Sequence, residues 1–379
     1  MTSQTAPSSA AARNEHARLD ALRGLMAILV LFSHVSQILL WRLTGEQSLM
    51  VVVAKVAGRG AVIVFFLLSG YLITRSIRQN IARHGQFVVM DYVTARLARI
   101  YPPLIGAVLL CGLVWGIIHG LNLPGAVQYG LPGDLYAVRD RFSIIPEDLY
   151  STLIMQAGLI GANGSLWTLY LEVHLYTAVL AIAAWRVKGL GPRLLCLVAG
   201  AAGAWAMRFA IPFAGFWLIG GAFELWPQTR KAGLAIGAGA ALITLTLLIM
   251  HPALFGLQMD TSSGKLVELA PTLMVAALIF AAPPHWRTPN WLSRTGDFSY
   301  SLYVIHWPLL MLTLSLTQSW MQHSVWRALG VGAVSVPVII ALAMAFARLL
   351  ERPKYFARLL RKSMSPPATY PMAQEQPSA

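Results

Sequence analysis

The sequence predicts an all-α fold, a polytopic integral-membrane helical bundle of about ten transmembrane helices with both termini in the cytosol. Three observations predict it. First, of 379 residues 57% are hydrophobic and only 12% charged. A single soluble core stops growing near about 250–300 residues and would not hide that much apolar surface from water. Second, the mean hydropathy is +0.62. Third, the apolar residues fall into runs close to the roughly 20 residues that one helical span needs. This composition excludes a soluble enzyme, a disordered chain and a fibrous one.

Residues 1–18 are polar and rich in Ser and Ala, and are expected to form a flexible cytosolic tail. The run at 19–41 is too long for the apolar region of a signal peptide, so it is expected to remain as the first span. Further spans are expected at 58–78, 99–119, 165–186, 192–208, 211–226, 231–250, 267–282, 298–319 and 327–349. Each is expected to be helical, because lipid offers the backbone no other hydrogen-bond partner. The fifth and sixth adjoin at Pro212, as a tight hairpin or as half-spans. Gly112-x-x-x-Gly116 and Gly233-x-x-x-Gly237 would allow close helix packing. Residues 120–164 carry Pro124, Pro132, Pro146 and the carboxylates Asp134, Asp140, Glu147 and Asp148. This long outer loop is expected to cover an outward-facing site. Residues 19–362 form one membrane domain, and the Pro/Ser/Gln-rich residues 363–379 are expected to be a disordered cytosolic tail.

The formal net charge is +14. Most basic residues lie between apolar runs and not on one polar face, which argues against a nucleic-acid partner. With the N-terminus inside, 21 of the 29 Lys and Arg residues fall on the inner side and 8 on the outer. That asymmetry is what the positive-inside rule demands. Cys111 and Cys196 sit singly in apolar runs and offer neither a disulfide framework nor a metal site.

Ionisable side chains inside spans are costly, so each is a functional candidate. Arg23 and His34 lie eleven residues apart in the first run. At about 100° per residue they differ by about 20° around the helix, so both point the same way. Along the axis they are about 16 Å apart. Alone, Arg23 reads as an interfacial anchor and His34 as a helix-packing hydrogen bond; the shared face raises both as site residues. In the fourth span Thr168, Glu172 and Tyr176 form a polar stripe at i, i+4 and i+8, beside Trp167. Glu172 and His34 both fall in the outer half, where a carboxylate–imidazole pair is geometrically possible. In the ninth span Ser299, Tyr303 and His306 share a face ahead of Pro308, which is expected to kink the helix. Arg96 and Arg99 are i, i+3 neighbours before the third span. Such a pair suits phosphate groups, or simply anchors the helix at the inner interface. Glu224 reads as interfacial.

Five segments together carry a resemblance. They are LDALRGLMAILVLFSH (19–34), FFLLSGYLI (65–73), Arg96-x-x-Arg99 before Ile-Tyr-Pro, SLWTLYLE (165–172) and YSLYVIHWP (300–308). In this order they resemble the membrane-bound acyltransferase-3 family, which acylates sugars and related acceptors. Many members have an acidic residue just before the Phe pair of the second segment, where this chain reads Ala61-Val-Ile-Val. Many sugar O-acetyltransferases of the family also carry a C-terminal hydrolase-like domain, whereas this chain is expected to act as a stand-alone membrane domain or with a partner.

The resemblance implies transfer of an acyl group, most simply acetyl, from acyl-CoA to an acceptor hydroxyl on a cell-surface or exported carbohydrate or glycolipid, in a bacterial inner membrane. Arg23, Arg96 and Arg99 would clamp the donor's phosphates. His34 would act as general base, or carry the acyl group itself. Glu172 would orient His34, and Trp167, Tyr303 and His306 would contact the acceptor. No metal is implied. A small secondary metabolite or a lipid headgroup is the alternative acceptor. A secondary transporter is the alternative from another class, but the chain shows no repeat and no matching pair of broken helices.

Overall fold

The computed structural model describes residues 9–45, 48–123, 142–156, 158, 159, 161–226 and 288–364, with isolated positions at 235, 239 and 242. Every regular element among them is a helix. The main ones are α1 Ser9–Val35, α2 Leu49–His84, α3 Val89–Gly120, α4 Pro146–Leu153, α5 Trp167–Ala183, α6 Leu190–Ala206, α7 Ile211–Leu225, α8 Ser299–Met321, α9 Val325–Leu350 and α10 Pro353–Met364. Among the described residues, seven helical stretches are long and apolar enough to cross a membrane, and α7 is a shorter apolar helix. Helices thus occupy eight of the ten expected spans. The other two, 231–250 and 267–282, lie almost wholly outside the described residues, as do Gly233, Gly237 and residues 365–379.

The helices outrun the apolar windows that announced them. α2 has 36 residues, about 54 Å of helix, against about 30 Å of hydrocarbon. Its ends are set by local chemistry instead. Ser48 accepts from the Val51 N–H at the start, and Gly85 takes the left-handed conformation at the end (φ 67°). α1 likewise begins at Ser9, within the segment expected to be a flexible tail. Glu15 there accepts from the Tyr71 hydroxyl and pairs with Arg75 at 3.2 Å, tying that part of the helix to α2.

α8 is the central helix. Residues 301–308 are buried without interruption, and α8 packs against α1, α3 and α9. α2 lies along α1 and, most intimately, along α7. That last crossing explains the Ser-Gly of the second segment. A Cβ at Gly70 would land in the Trp217 carbonyl, and one at Gly220 in the Leu67 carbonyl. Trp217 Nε1 also donates to Ser69 Oγ at 3.3 Å. At Gly112 and Gly116, whose spacing would allow close packing, a Cβ would meet no described atom within 4 Å. Both glycines are exposed on α3, and among the described residues tight backbone approaches are made by α2 with α7 and by α5 with α6.

Of the long loop, residues 120–123 and 142–164 are described apart from 157 and 160, and the rest, with Asp134 and Asp140, lies outside the described residues. The described part is packed onto the bundle. Phe142 and Leu159 are buried, and the Tyr170 hydroxyl of α5 donates to the Gly158 carbonyl at 2.8 Å. At the opposite end α10 docks on α3, where Arg361 meets Asp91 at 3.0 Å. Glu224, expected at the interface, pairs with Arg78 at 2.9 Å.

Candidate active site

A cavity opens among α1, α2, α3, α5 and α8. Arg23, Arg96, Arg99, Glu172, Tyr176 and Tyr303 contribute its polar lining. α2 contributes an apolar wall that includes Val62, Phe65, Phe66 and Leu72. The wall follows from the helical period, which sets these residues on one side of α2.

Each arginine is held differently. Arg23 does not reach for water. Its Nε donates to Ser299 Oγ at 2.8 Å and its Nη2 to the Gly296 carbonyl at 2.7 Å, both at the start of α8, and it pairs with Asp20 at 3.2 Å. Arg96 donates from Nη2 to Ser76 Oγ at 3.3 Å and lies over the Tyr92 and Tyr176 rings at 5.6 and 5.7 Å. Its Nε is buried with no hydrogen-bond partner among the described residues. Arg99 faces the charges of Glu172 and Glu351. Glu172 itself accepts from the Tyr176 hydroxyl one turn along its own helix.

Along α8 the site runs from Ser299, beside Arg23, to Tyr303 and then His306. The Tyr303 hydroxyl bonds with Thr168 Oγ1 and with the Ser165 carbonyl. His306 is 1% exposed. Its Nδ1 lies 2.9 Å from the Leu302 carbonyl, and its Nε2 lies 2.7 Å from Nδ1 of His34. The two imidazole planes are 9° apart with centroids at 4.9 Å. Parallel planes at that spacing, joined by so short a nitrogen–nitrogen contact, are two rings edge to edge in one plane, not face to face. Trp307 meets the His34 ring at 80° with centroids 4.9 Å apart. Immediately after His34 the helix widens into a π turn over Ser36–Leu40, a feature often found at functional sites.

Pro308 has no N–H, so the Val304 carbonyl four residues earlier loses its helical donor. Asn163 replaces it, with Nδ2 donating to Val304 O at 2.7 Å. Ser165 Oγ lies 2.6 Å from Asn163 Oδ1 and 3.2 Å from the Tyr303 carbonyl. The turn that opens α5 is thereby fastened to the stretch of α8 that carries Tyr303 and His306.

The structure therefore brings together Arg23, Arg96, Arg99, Glu172 and Tyr303 in one cavity, and His34 with His306 beside it. It does not bring Glu172 to His34; the ring at His34 Nδ1 is His306. Trp167, expected to contact the acceptor, is 41% exposed, packs edge-on against Phe213 and does not line the cavity. One residue escaped the sequence reading. Glu351 accepts from the Ser301 N–H at 3.1 Å and Oγ at 2.9 Å, and its charge faces Arg23 and Arg99. Its only signal in the sequence is that it is the single acid in the basic stretch 348–362.

The model of the acyltransferase-3 family, described as an acyltransferase domain, matches residues 16–344. Nodulation protein 10 of Rhizobium leguminosarum bv. viciae is 28% identical over an alignment of 379 positions, gaps included, that spans 93% of this chain and 97% of that protein. An O-acetyl transferase of Shigella phage Sf6 is 32% identical over 158 residues, 41% of this chain and 43% of that protein. No solved structure matches the chain.

Proposed function

Because this chain belongs to the acyltransferase-3 family of integral-membrane enzymes, we propose that it moves an acyl group, most simply acetyl, from cytosolic acyl-CoA to a hydroxyl of a cell-surface or exported carbohydrate. The observation that carries this reading is the cavity, with Arg23, Arg96 and Arg99 in its lining and the His34–His306 pair beside Tyr303. Guanidinium groups recognise phosphate oxygens through paired N–H donors. The buried Nε of Arg96, unpartnered among the described residues, is a donor ready for such an anion. The apolar wall of α2 suits the donor's uncharged arm. The O-acetyl transferase of Shigella phage Sf6 supports acetyl as the group and oxygen as its destination.

In this reading the acceptor hydroxyl approaches the acyl carbon beside His34. A neutral imidazole is suited to accept its proton near neutral pH. The hydroxyl O–H bond breaks, its proton lands on His34, and its electron pair forms the new ester bond. The thiolate of CoA leaves and takes the proton back from the imidazolium. Glu172 and Glu351 balance the arginine charges between turnovers. The inner excess of Lys and Arg, 21 of 29, supports placing the arginines toward the cytosol of a bacterial inner membrane.

Mass spectrometry of the cell-envelope glycans, with and without the gene, tests the acceptor. Acyl groups should disappear on deletion and return with the wild-type gene but not with His34→Ala. Glycans that stay unchanged on deletion refute a carbohydrate acceptor.

A further inference from the structure

Resting on the reading of His34 as the base, we propose that His306 is a positioning residue: its hydrogen bond to His34 fixes which nitrogen of His34 can take the acceptor's proton. The argument begins at Leu302. A backbone carbonyl only accepts, so the His306 nitrogen 2.9 Å from it, Nδ1, must carry the hydrogen. In a neutral ring the other nitrogen, Nε2, is then an acceptor. That atom lies 2.7 Å from His34 Nδ1, so His34 Nδ1 must be the donor. The chain of bonds runs from His34 Nδ1–H to His306 Nε2 and from His306 Nδ1–H to Leu302 O. It leaves the basic lone pair of His34 on Nε2.

The geometry matches that assignment. The near-coplanar rings put the donor hydrogen in line with the lone pair that receives it. Trp307 stands across the His34 ring and restrains its rotation. His306 is held in turn, because Leu302 and His306 belong to the segment of α8 that Asn163 and Ser165 clamp beside Pro308. Glu172, which bonds to Tyr176, takes no part. The third group that orients a catalytic histidine is commonly a carboxylate; here it is a second imidazole anchored to a carbonyl. When His34 takes the proton from the acceptor hydroxyl on Nε2, its Nδ1–H bond to His306 becomes charge-assisted and stronger. The pair thus stabilises the charged intermediate more than the resting state.

The test uses the full-length protein in detergent, labelled with ¹⁵N-histidine, in wild type and in the variants His306→Gln and His306→Met. Both variants approximate the side-chain length, but only Gln offers an oxygen that can accept from His34. Imidazole ¹⁵N shifts, with the His34 signal identified by its loss in His34→Ala, report the tautomer without reference to activity. Wild type and His306→Gln should hold His34 with hydrogen on Nδ1, and His306→Met should lose that state. In parallel, kcat should fall by about a hundredfold or more in His306→Met while KM for acyl-CoA stays within about twofold, and His306→Gln should recover to within about tenfold of wild type. An unchanged His34 tautomer in His306→Met overturns the proposal. A tautomer change with an unaltered kcat overturns the base reading of His34 instead, and with it the catalytic meaning of the pair.

Discussion

Removing the Asn163 side chain should cost stability by an amount that depends on Pro308. In wild type the Val304 carbonyl has Asn163 Nδ2 at 2.7 Å, and Asn163 is fully buried. Asn163→Ala leaves that carbonyl unpaired in an apolar interior, a loss of about 1–3 kcal/mol. At a few degrees per kcal/mol, thermal unfolding in detergent should begin roughly 2–10 °C lower. Pro308→Ala supplies the N–H that proline lacks, and that donor would reach Val304 O by the ordinary helical bond. In the Pro308→Ala background, Asn163→Ala should therefore cost about 1 kcal/mol less than in wild type. The reasoning is refuted if the two costs agree within about 0.3 kcal/mol, the range expected of independent sites.

Other perturbations follow from the same structure. Arg96→Lys should raise KM for acyl-CoA about tenfold with little change for the acceptor, since a point charge does not copy a guanidinium fork; an unchanged donor KM would leave Arg96 as a helix anchor. Gly70→Ala drives a methyl into the Trp217 carbonyl and should cost about 1–3 kcal/mol of overpacking strain, read as lowered folded yield and melting temperature; full stability would contradict the α2–α7 crossing. Glu351→Ala should cost about 1–2 kcal/mol because the Ser301 N–H at the start of α8 loses its cap, whereas Glu351→Gln, which keeps an acceptor, should cost less than half as much; equal losses would assign the effect to charge instead.

Eight of the ten spans were legible among the described residues, because hydrocarbon imposes a length and a polarity that a one-dimensional scan detects. Their ends were not, because capping by Ser48 and Gly85 and the tether of Glu15 to α2 set them, and none of these changes the hydropathy. The common face of Arg23 and His34 could be read from helical spacing within one segment. The partner of His34 could not. His306 lies 272 positions away, and Glu172 looked equally able to reach it by depth alone. Only the rotation of α5 and α8 about their axes decides between them, and that rotation is set by the Asn163 and Ser165 bonds to carbonyls around Pro308. Glu351 was hidden for a related reason: in sequence it is one acid among exposed bases, and only the fold delivers it to the first turn of α8.

The account stands most directly on transfer through the bundle from the arginines to His34. Sealed inside-out membrane vesicles expose the cytosolic face outward and enclose the envelope acceptor. Labelled acetyl-CoA added outside should yield labelled luminal glycan without permeabilisation, and vesicles with matched amounts of the His34→Ala protein should show less than about a hundredth of that label, the smallest loss typical of removing a general base. Label that appears only after permeabilisation, or that persists undiminished in His34→Ala, would contradict the account.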